Sequence, residues 1–261
     1  MWVKVVRRIK GTVMLALFGL FFVGILFELV FVFPVLWLLS LLNRPHPFLM
    51  QAVHSRLFGI WLFLLNRFGL LIEKEPIGSP YQDSCLIVAN HPGLFDVLFL
   101  VSRISMLSML VKSTLTTDLP LGKIFKMSGY IPTPKIADVS PVATLFKARN
   151  MIQRGYKFLV FPEGTRSPKG DLRHFKHGLF RLARMADVPI QPVLIRNDPP
   201  FLTHEDKWRY PPFETSYIQL EFWEPMAPPE RGKERQYADM LEKRYREALG
   251  LKSQAGRQAD D

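Results

Sequence analysis

Residues 85–96 read CLIVANHPGLFD, which is an apolar run followed by an Asn-His pair, a Pro-Gly turn and an aspartate. The apolar run Cys85–Ala89 is typical of a buried strand, and Pro92 biases His91 away from helical geometry. We therefore expect His91 at the end of that strand. A continuous helix would place Asp96 about 140° around its axis from His91. The two side chains can meet only if the chain turns between them, and Pro-Gly supplies that turn.

The chemistry expected of such a pair is that of a general base. A carboxylate that bonds one imidazole nitrogen fixes the tautomer and leaves the other nitrogen able to take a proton. Taken alone, His91 and Asp96 are also compatible with a hydrogen-bonded histidine of structural role. A second signal is needed to separate the two interpretations.

A second polar run, FPEGTRS at residues 161–167, follows another apolar strand pattern at residues 156–160. Glu163, Gly164 and Arg166 at a strand end make a polar site that a ligand can approach closely, and the planar fork of Arg166 suits a phosphate. The residues that follow are the most basic of the domain: Lys169, Arg173, Lys176, Arg181 and Arg184. The alternative for this run is a solvated surface loop.

The wider pattern alternates strands with helices. We predict strands at residues 85–89, 106–112, 156–161, 189–195 and 217–223, and helices from residue 96 and at 140–155, 175–186 and 231–249. This alternation predicts an α/β fold with a mostly parallel central sheet flanked by helices. Ligands of such sheets bind beyond the carboxyl ends of the strands, where both polar runs lie.

The N-terminal segment predicts membrane attachment. An apolar run extends from Gly11 to Leu42, interrupted only by Glu28 and Pro34, and it is too long for a cleaved signal sequence. Two arrangements stay open, a single tilted span and a re-entrant hairpin bent near residues 28–34.

The predicted organisation has four parts. They are a membrane anchor at residues 1–44, an amphipathic interfacial helix at 45–74, an α/β domain at 75–250 and a disordered tail at 251–261. The alternative for the second part is a core helix of the α/β domain.

The composition indicates anionic partners. Lys and Arg number 34 against 23 acidic residues, a formal charge of +11, which suits an anionic membrane surface, a phosphorylated substrate or nucleic acid. The apolar anchor and the lack of interleaved aromatic and basic residues argue against nucleic acid. The single cysteine, Cys85, excludes an internal disulfide and is expected to be a buried hydrophobe. We expect no metal site, because His174 and His177 lack partner spacing and His54 stands isolated in the sequence.

Together, the two polar runs resemble the glycerolipid acyltransferase family, in particular its 1-acylglycerol-3-phosphate (lysophosphatidate) acyltransferases. In that family an Asn-His-four residues-Asp motif and a Phe-Pro-Glu-Gly-Thr-Arg-Ser motif occur in this order and at about this separation. Two further segments look similar to other motifs of the family, Gly129–Pro132 and Val188–Val193, and Phe175–Gly178 fits its Lys-x-Gly segment. The resemblance covers roughly residues 75–225.

The resemblance implies a glycerol-3-phosphate acyltransferase-like fold and a membrane-bound O-acyltransferase. His91 would act as general base on the acceptor hydroxyl and Asp96 would orient it, so that the oxygen attacks an acyl thioester directly, without an acyl-enzyme. The residues implied to bind the acceptor phosphate are Glu163, Gly164, Thr165, Arg166 and Lys135, which stands where the family's second motif usually ends in arginine. A backbone amide near Gly164 or Pro92-Gly93 would stabilise the oxyanion.

The implied partners are membrane lipid, a lysophospholipid acceptor and acyl-CoA or acyl carrier protein as thioester co-substrate, with no further cofactor and no nucleic acid. The implied location is a bacterial inner membrane, with the catalytic domain on the cytoplasmic face. Two alternatives stay open. One is a basic lipid-binding membrane protein without activity. The other is the same acyl transfer to a different acceptor, because Lys135 keeps the charge of arginine but loses its bidentate geometry. The segment Asn197–Thr203 is similar to segments of acyltransferases in specialised lipid or polyene biosynthesis.

Overall fold

A computed structural model of the chain describes residues 2–43, 47–113, 121–133, 141–201 and 214–251. Within these ranges the strands are β1 (Leu71–Glu73), β2 (Leu86–Ala89), β3 (Leu107–Val111), β4 (Ile131–Pro132), β5 (Lys157–Val160), β6 (Ile190–Asp198) and β7 (Ser216–Phe222). They form one sheet in the order β1-β7-β6-β2-β5-β3-β4. Neighbouring strands are parallel, except that β6 and β7 are antiparallel. The prediction of a mostly parallel sheet is confirmed.

The helices in the same ranges are α1 (Trp2–Phe27), α2 (Phe33–Asn43), α3 (Pro47–Arg67), α4 (Asp96–Arg103), α5 (Leu121–Met127), α6 (Pro141–Gln153), α7 (Arg181–Ala186) and α8 (Glu234–Ala248). A π-helical segment, Glu28–Val32, joins α1 to α2, and a 3-10 turn, His177–Leu179, precedes α7. The helix predicted at residues 175–186 is therefore wrong in its first part. There Lys176 has an extended backbone, with φ −71° and ψ 110°, and its N–H donates to the Pro162 carbonyl at 2.9 Å.

Helices cover both faces of the sheet. Ile87 and Ala89 of β2 pack into a core with residues of α1, α3 and α4, whereas Leu86 and Val88 pack into a second core with residues of α6, α7 and α8. Alternate residues of one strand thus enter opposite cores. Both faces of β2 are buried, which explains why its sequence is apolar throughout.

The N-terminal segment is a long helix that folds against the sheet domain. Its stretch Arg8–Leu39 is long and apolar enough to cross a membrane. The helix continues through the π-helical segment and Pro34, the region in which the sequence was also compatible with a re-entrant hairpin. α3 packs back on α1, since Trp61 Nε1 donates to the Leu17 carbonyl at 2.9 Å and His54 Nε2 lies 3.1 Å from Glu28 Oε2. Trp61, late in α3, contacts Leu17 of α1, whereas His54, earlier in α3, contacts Glu28 just after α1. The two helices are therefore antiparallel.

α3 contributes to the core of the domain. Its residues Met50, Trp61 and Leu65 are buried, whereas Ile60 and Phe63 are exposed. The buried face agrees with the core-helix alternative, and contact of the exposed face with a membrane stays a prediction. The predicted tail lies outside the described residues from residue 252 onward.

Candidate active site

His91 and Asp96 meet at the carboxyl end of β2. Asp96 is the first residue of α4, and its Oδ2 lies 2.9 Å from His91 Nδ1 and accepts from the Gly93 N–H at 2.7 Å. The Pro92-Gly93 turn brings the two side chains together. Gly93 suits this turn because a Cβ there would lie 2.7 Å from the Phe201 carbonyl oxygen.

The environment of Asp96 orients the imidazole. Burial raises the pKa of the Asp96 carboxyl, and the hydrogen bonds from His91 and Gly93 oppose that rise. An ionised carboxylate only accepts, so it assigns the ring proton to Nδ1 and leaves Nε2 of His91 as a proton acceptor. The His91 ring also stacks on Phe161, with centroids 4.1 Å apart, which fixes its plane. This is the geometry that a general base needs.

Glu163 holds the second polar run against the first. Its Oε1 accepts from the His91 N–H at 3.0 Å and from the Ser167 hydroxyl at 2.7 Å, and its Oε2 accepts from the Arg173 N–H at 2.9 Å. The Ser167 N–H donates to the His91 carbonyl at 2.8 Å. Burial raises the pKa of Glu163, and its three hydrogen bonds oppose the rise. The carboxylate therefore positions the His91 backbone, and contact of Glu163 with substrate stays a prediction.

Gly164, Thr165 and Arg166 line a cavity together with His91. Gly164 has a φ of +73°, a left-handed conformation that glycine adopts at little cost, and a Cβ there would lie 2.5 Å from Lys176 Nζ. The Lys176 side chain thus passes over Gly164. Both Lys176 and Lys112 line the same cavity. The structure brings cationic groups to the side of the His91–Asp96 pair. Lys135, the remaining predicted phosphate ligand, lies outside the described residues.

The cavity has a volume of about 950 Å³ and extends beneath the antiparallel pair α1 and α3. Most of its lining is apolar, including Phe21 of α1, Phe58 of α3 and Leu98 of α4. The volume is near the upper end of the roughly 300–1,000 Å³ of small-molecule sites. A long apolar group that starts beside His91 can be accommodated there.

The two amides suggested as oxyanion donors are already engaged. The Gly93 N–H donates to Asp96, and the Gly164 N–H donates to the Phe161 carbonyl at 3.0 Å. Neither amide can face a developing oxyanion without giving up its bond. An oxyanion donor among the other backbone amides near Gly164 or Pro92-Gly93 stays a prediction.

Comparison with known proteins identifies the domain that contains this site. Residues 72–196, from β1 into β6, match the family model described as Acyltransferase. This region of the chain is therefore similar to the acyltransferase family. Both polar runs lie inside the matched residues, and so does the cavity wall formed by α4, β3 and β5.

Similar proteins carry the names of one enzyme class. A chloroplastic 1-acyl-sn-glycerol-3-phosphate acyltransferase of Brassica napus is 27% identical over 180 residues, which is 66% of this chain and 52% of the relative. The human 1-acyl-sn-glycerol-3-phosphate acyltransferase beta is 30% identical over 145 residues, 54% of this chain and 52% of the relative. The chain spans about half the length of these curated relatives.

The crystal structure of the 1-acyl-sn-glycerophosphate acyltransferase PlsC from Thermotoga maritima superposes with a TM-score of 0.66, covering 94% of this chain and 100% of that one. At 21% identity this likeness shows the fold. The coverage reaches beyond residues 72–196 into the N-terminal helices. The fold expected from the sequence resemblance is confirmed.

Several cavity residues were missed by sequence reasoning. His54, which stands isolated in the sequence, lies beside Glu28 across the interface of α1 and α3. The available signal was Glu28 itself, the single charged residue in the apolar run from Gly11 to Leu42.

His174 bonds Glu242 at 2.7 Å. Among the described residues no group of His, Cys, Asp or Glu could hold a metal ion.

Cys85 is buried, as expected, and burial raises the pKa of its thiol to about 12. A thiol in that state is a poor nucleophile at neutral pH. The residue therefore serves as a small apolar side chain in the sheet.

Proposed function

We propose that this protein is a membrane-bound O-acyltransferase that moves a fatty acyl group from an acyl thioester to a hydroxyl of a lysophosphatidate-like acceptor. One observation carries the proposal: the oriented His91–Asp96 pair opens onto a large apolar cavity that Arg166 also lines. The acyltransferase domain and the names of its relatives support the same activity.

The proposed reaction needs one base and no covalent enzyme intermediate. His91 Nε2 takes the proton from the acceptor hydroxyl as its oxygen attacks the thioester carbonyl carbon. The tetrahedral intermediate then collapses, the C–S bond breaks, and the imidazolium returns the proton to the departing thiolate. Asp96 keeps its bond to Nδ1 throughout and stabilises the positive charge on the ring. The thioester already activates the carbonyl, so the proposal includes no further cofactor.

The acceptor phosphate would lie against the cationic groups beside the base. Arg166 offers a planar fork that can bond two phosphate oxygens, and Lys176 adds a second charge next to Gly164. The predicted contact of Lys135 belongs to the same proposal. Glu163 contributes by fixing the loop, since its two oxygens are occupied by protein donors.

The acyl chain would enter the apolar cavity between the sheet and the antiparallel pair α1 and α3. Burying a chain there removes apolar surface from water at roughly 25 cal/mol per Å². The wall contributed by α1 is part of the candidate membrane span, so a lipid chain could pass between the membrane and the cavity with little exposure to water.

The location would be a bacterial inner membrane, with the domain on the cytoplasmic face. The apolar stretch Arg8–Leu39 and the exposed Phe22, Phe27 and Phe31 support insertion of the long helix. The formal charge of +11 favours contact of the domain with anionic lipid headgroups.

A substrate panel tests the proposal. The full-length protein, purified in detergent, is given lysophosphatidate with either acyl-CoA or acylated carrier protein, and product lipid is measured. We expect phosphatidate with at least one of the donors. The same panel includes non-phosphorylated alcohols and lysolipids with other headgroups, because Lys135 would accommodate a different acceptor. Absence of transfer from both donors to every acceptor would contradict the acyltransferase assignment, and transfer only to another acceptor would correct the substrate.

A further inference from the structure

Glu28 is an ionisable residue within the candidate membrane span, and it faces the protein. Its side chain is only 4% exposed, because it points at α3 and the sheet domain. Ionisable residues are rare in membrane helices because removal of a charge from water is unfavourable, and those present usually serve a function. Glu28 also begins the π-helical segment, a distortion that is found frequently at functional sites.

Three structural elements build a polar cluster around Glu28. His54 of α3 places Nε2 at 3.1 Å from Glu28 Oε2. The other ring nitrogen, Nδ1, lies 3.0 Å from the Ser128 hydroxyl. The Ser128 backbone is fixed in turn, since its carbonyl accepts from Gln51 Nε2 at 2.6 Å. Glu28 Oε2 is thus held by a chain of buried contacts that runs to the end of α5.

Two polar atoms of this cluster are left over. Glu28 Oε1 and the Tyr130 hydroxyl are both buried, and neither has a hydrogen-bond partner among the described residues. Both residues line the cavity, as does His54, whose ring stacks against Tyr130 with centroids 6.3 Å apart. Buried polar groups without partners are disfavoured, so a ligand that satisfies both atoms would bind preferentially.

The position of the cluster relative to His91 follows from the sheet. His91 follows β2 and Tyr130 precedes β4, and the order β2-β5-β3-β4 separates them by three strand spacings. Adjacent strands lie about 4.8 Å apart, which places the cluster roughly 14 Å across the sheet from the base. An acyl chain whose thioester carbonyl lies beside His91 would meet the cluster well along its length.

We propose that Glu28 and Tyr130 form a recognition site for a hydroxyl group carried in the distal part of the acyl chain that occupies the cavity. The hydroxyl donates to Glu28 Oε1 and accepts from the Tyr130 hydroxyl, which satisfies both groups at once. A terminal methyl could satisfy neither group, and a carboxylate at the chain end would be repelled by Glu28. An unsubstituted chain is still accepted when water takes the place of the hydroxyl.

This inference rests on the proposed acyl transfer, and the oxygenated chain could belong to the thioester donor or to the acceptor lipid. The chemistry recognised is the same in both cases. Two arms of one experiment separate them. In the first arm lysophosphatidate is fixed and the full-length enzyme receives acyl-CoA donors of one chain length: unsubstituted, hydroxylated beside the carbonyl, or hydroxylated at successive distal carbons. In the second arm the unsubstituted donor is fixed and the acceptor's own chain carries the same substitutions.

In one arm we expect a distal hydroxyl to raise kcat/KM about tenfold over the unsubstituted chain, equivalent to about 1.4 kcal/mol. A hydroxyl beside the carbonyl should give no increase. Tyr130→Phe and Glu28→Gln should each bring the ratio of kcat/KM for the distally hydroxylated chain to kcat/KM for the unsubstituted chain close to one. The matched control is Tyr237→Phe, which removes another buried hydroxyl without a described partner, in the core on the opposite face of the sheet. It should keep the preference.

The outcomes separate the two proposals. Equal kcat/KM values for all substituted and unsubstituted chains in both arms, with active enzyme, would overturn the recognition site and leave the acyl transfer intact. A distal preference that Tyr130→Phe leaves unchanged would also overturn it. Tyr130→Phe removes a single oxygen and leaves the Glu28–His54 contact in place, so it provides the test if Glu28→Gln fails to fold. Absence of transfer from every donor would overturn the proposed function and, with it, this inference.

Discussion

Replacing Gly93 by alanine tests whether the Pro92-Gly93 turn sets the geometry of the base. A Cβ at residue 93 would lie 2.7 Å from the Phe201 carbonyl oxygen and 2.9 Å from Asn197 Nδ2, where ordinary contacts begin at 3.4 Å. To increase the separation between the Cβ and the Phe201 oxygen from 2.7 Å to an ordinary 3.4 Å, the turn must move by about 0.7 Å. If the turn takes up this shift, the 2.7 Å bond from the Gly93 N–H to Asp96 lengthens to about 3.4 Å, beyond the roughly 3.2 Å limit of ordinary N–H···O bonds.

The expected loss of activity follows from that bond. A hydrogen bond to a charged group contributes about 1.5–3 kcal/mol. Complete loss of its effect on the transition state would lower kcat roughly 10- to 150-fold. The acceptor KM should change little, because the Gly93 N–H bonds Asp96 and Gly93 does not line the cavity that Arg166 lines.

The assay is the initial rate of thiol release from acyl-CoA with lysophosphatidate present, measured beside a thermal unfolding curve. Gly178→Ala is the matched control, because Gly178 lies in the segment that follows the second polar run and a Cβ there would meet nothing within 4 Å. The control should keep wild-type activity. A Gly93→Ala protein that is folded and within twofold of the wild-type kcat would refute the role given to the turn, and an equal loss in Gly178→Ala would show that the effect is not specific.

Three further changes probe the rest of the site. Glu163→Gln places an amide among three protein donors, so we expect a lower kcat and a free energy of unfolding reduced by about 1–3 kcal/mol; unchanged values in both measurements would remove its positioning role. Arg166→Ala should raise the acceptor KM about tenfold or more, whereas the exposed Arg181→Ala should not; an effect confined to the acyl donor KM would reverse the assignment. Removal of residues 1–44 should reduce membrane association in fractionation and also lower the thermal unfolding midpoint, because Met14 and Leu17 are buried in the domain core. An unchanged membrane pool would assign attachment to α3.

The sequence predicted the central part of the fold well, because that part depends on local pattern. β2 and β5 lie inside the sheet with both faces buried, so β2 appears as a continuous apolar run and β5 as an apolar run interrupted by Lys157, each ahead of a polar motif. β1 has three residues, β4 has two and α5 has seven, which is too short for a periodic signal, and they were missed.

The same distinction applies to the site. The His91–Asp96 contact spans five residues and could be anticipated from the Pro-Gly turn between them. The Glu28–His54 contact depends on how α1 and α3 pack, and the Ser128 hydroxyl lies 74 residues beyond His54. No local pattern reveals such contacts. The helix predicted from residue 175 was wrong for a related reason, since Lys176 is extended where its N–H bonds the carbonyl of the distant Pro162.

The kcat of His91→Ala tests the central claim most directly. The variant removes the proposed base and leaves Asp96, the loop held by Glu163 and the cavity in place. We predict a fall of at least about 10² in kcat for acyl transfer, the contribution typical of a positioned general base. His177→Ala, which removes an exposed histidine that does not line the cavity, should retain full activity. Near-normal turnover by folded His91→Ala would contradict the account, because acyl transfer would then proceed without the base on which the proposed mechanism depends.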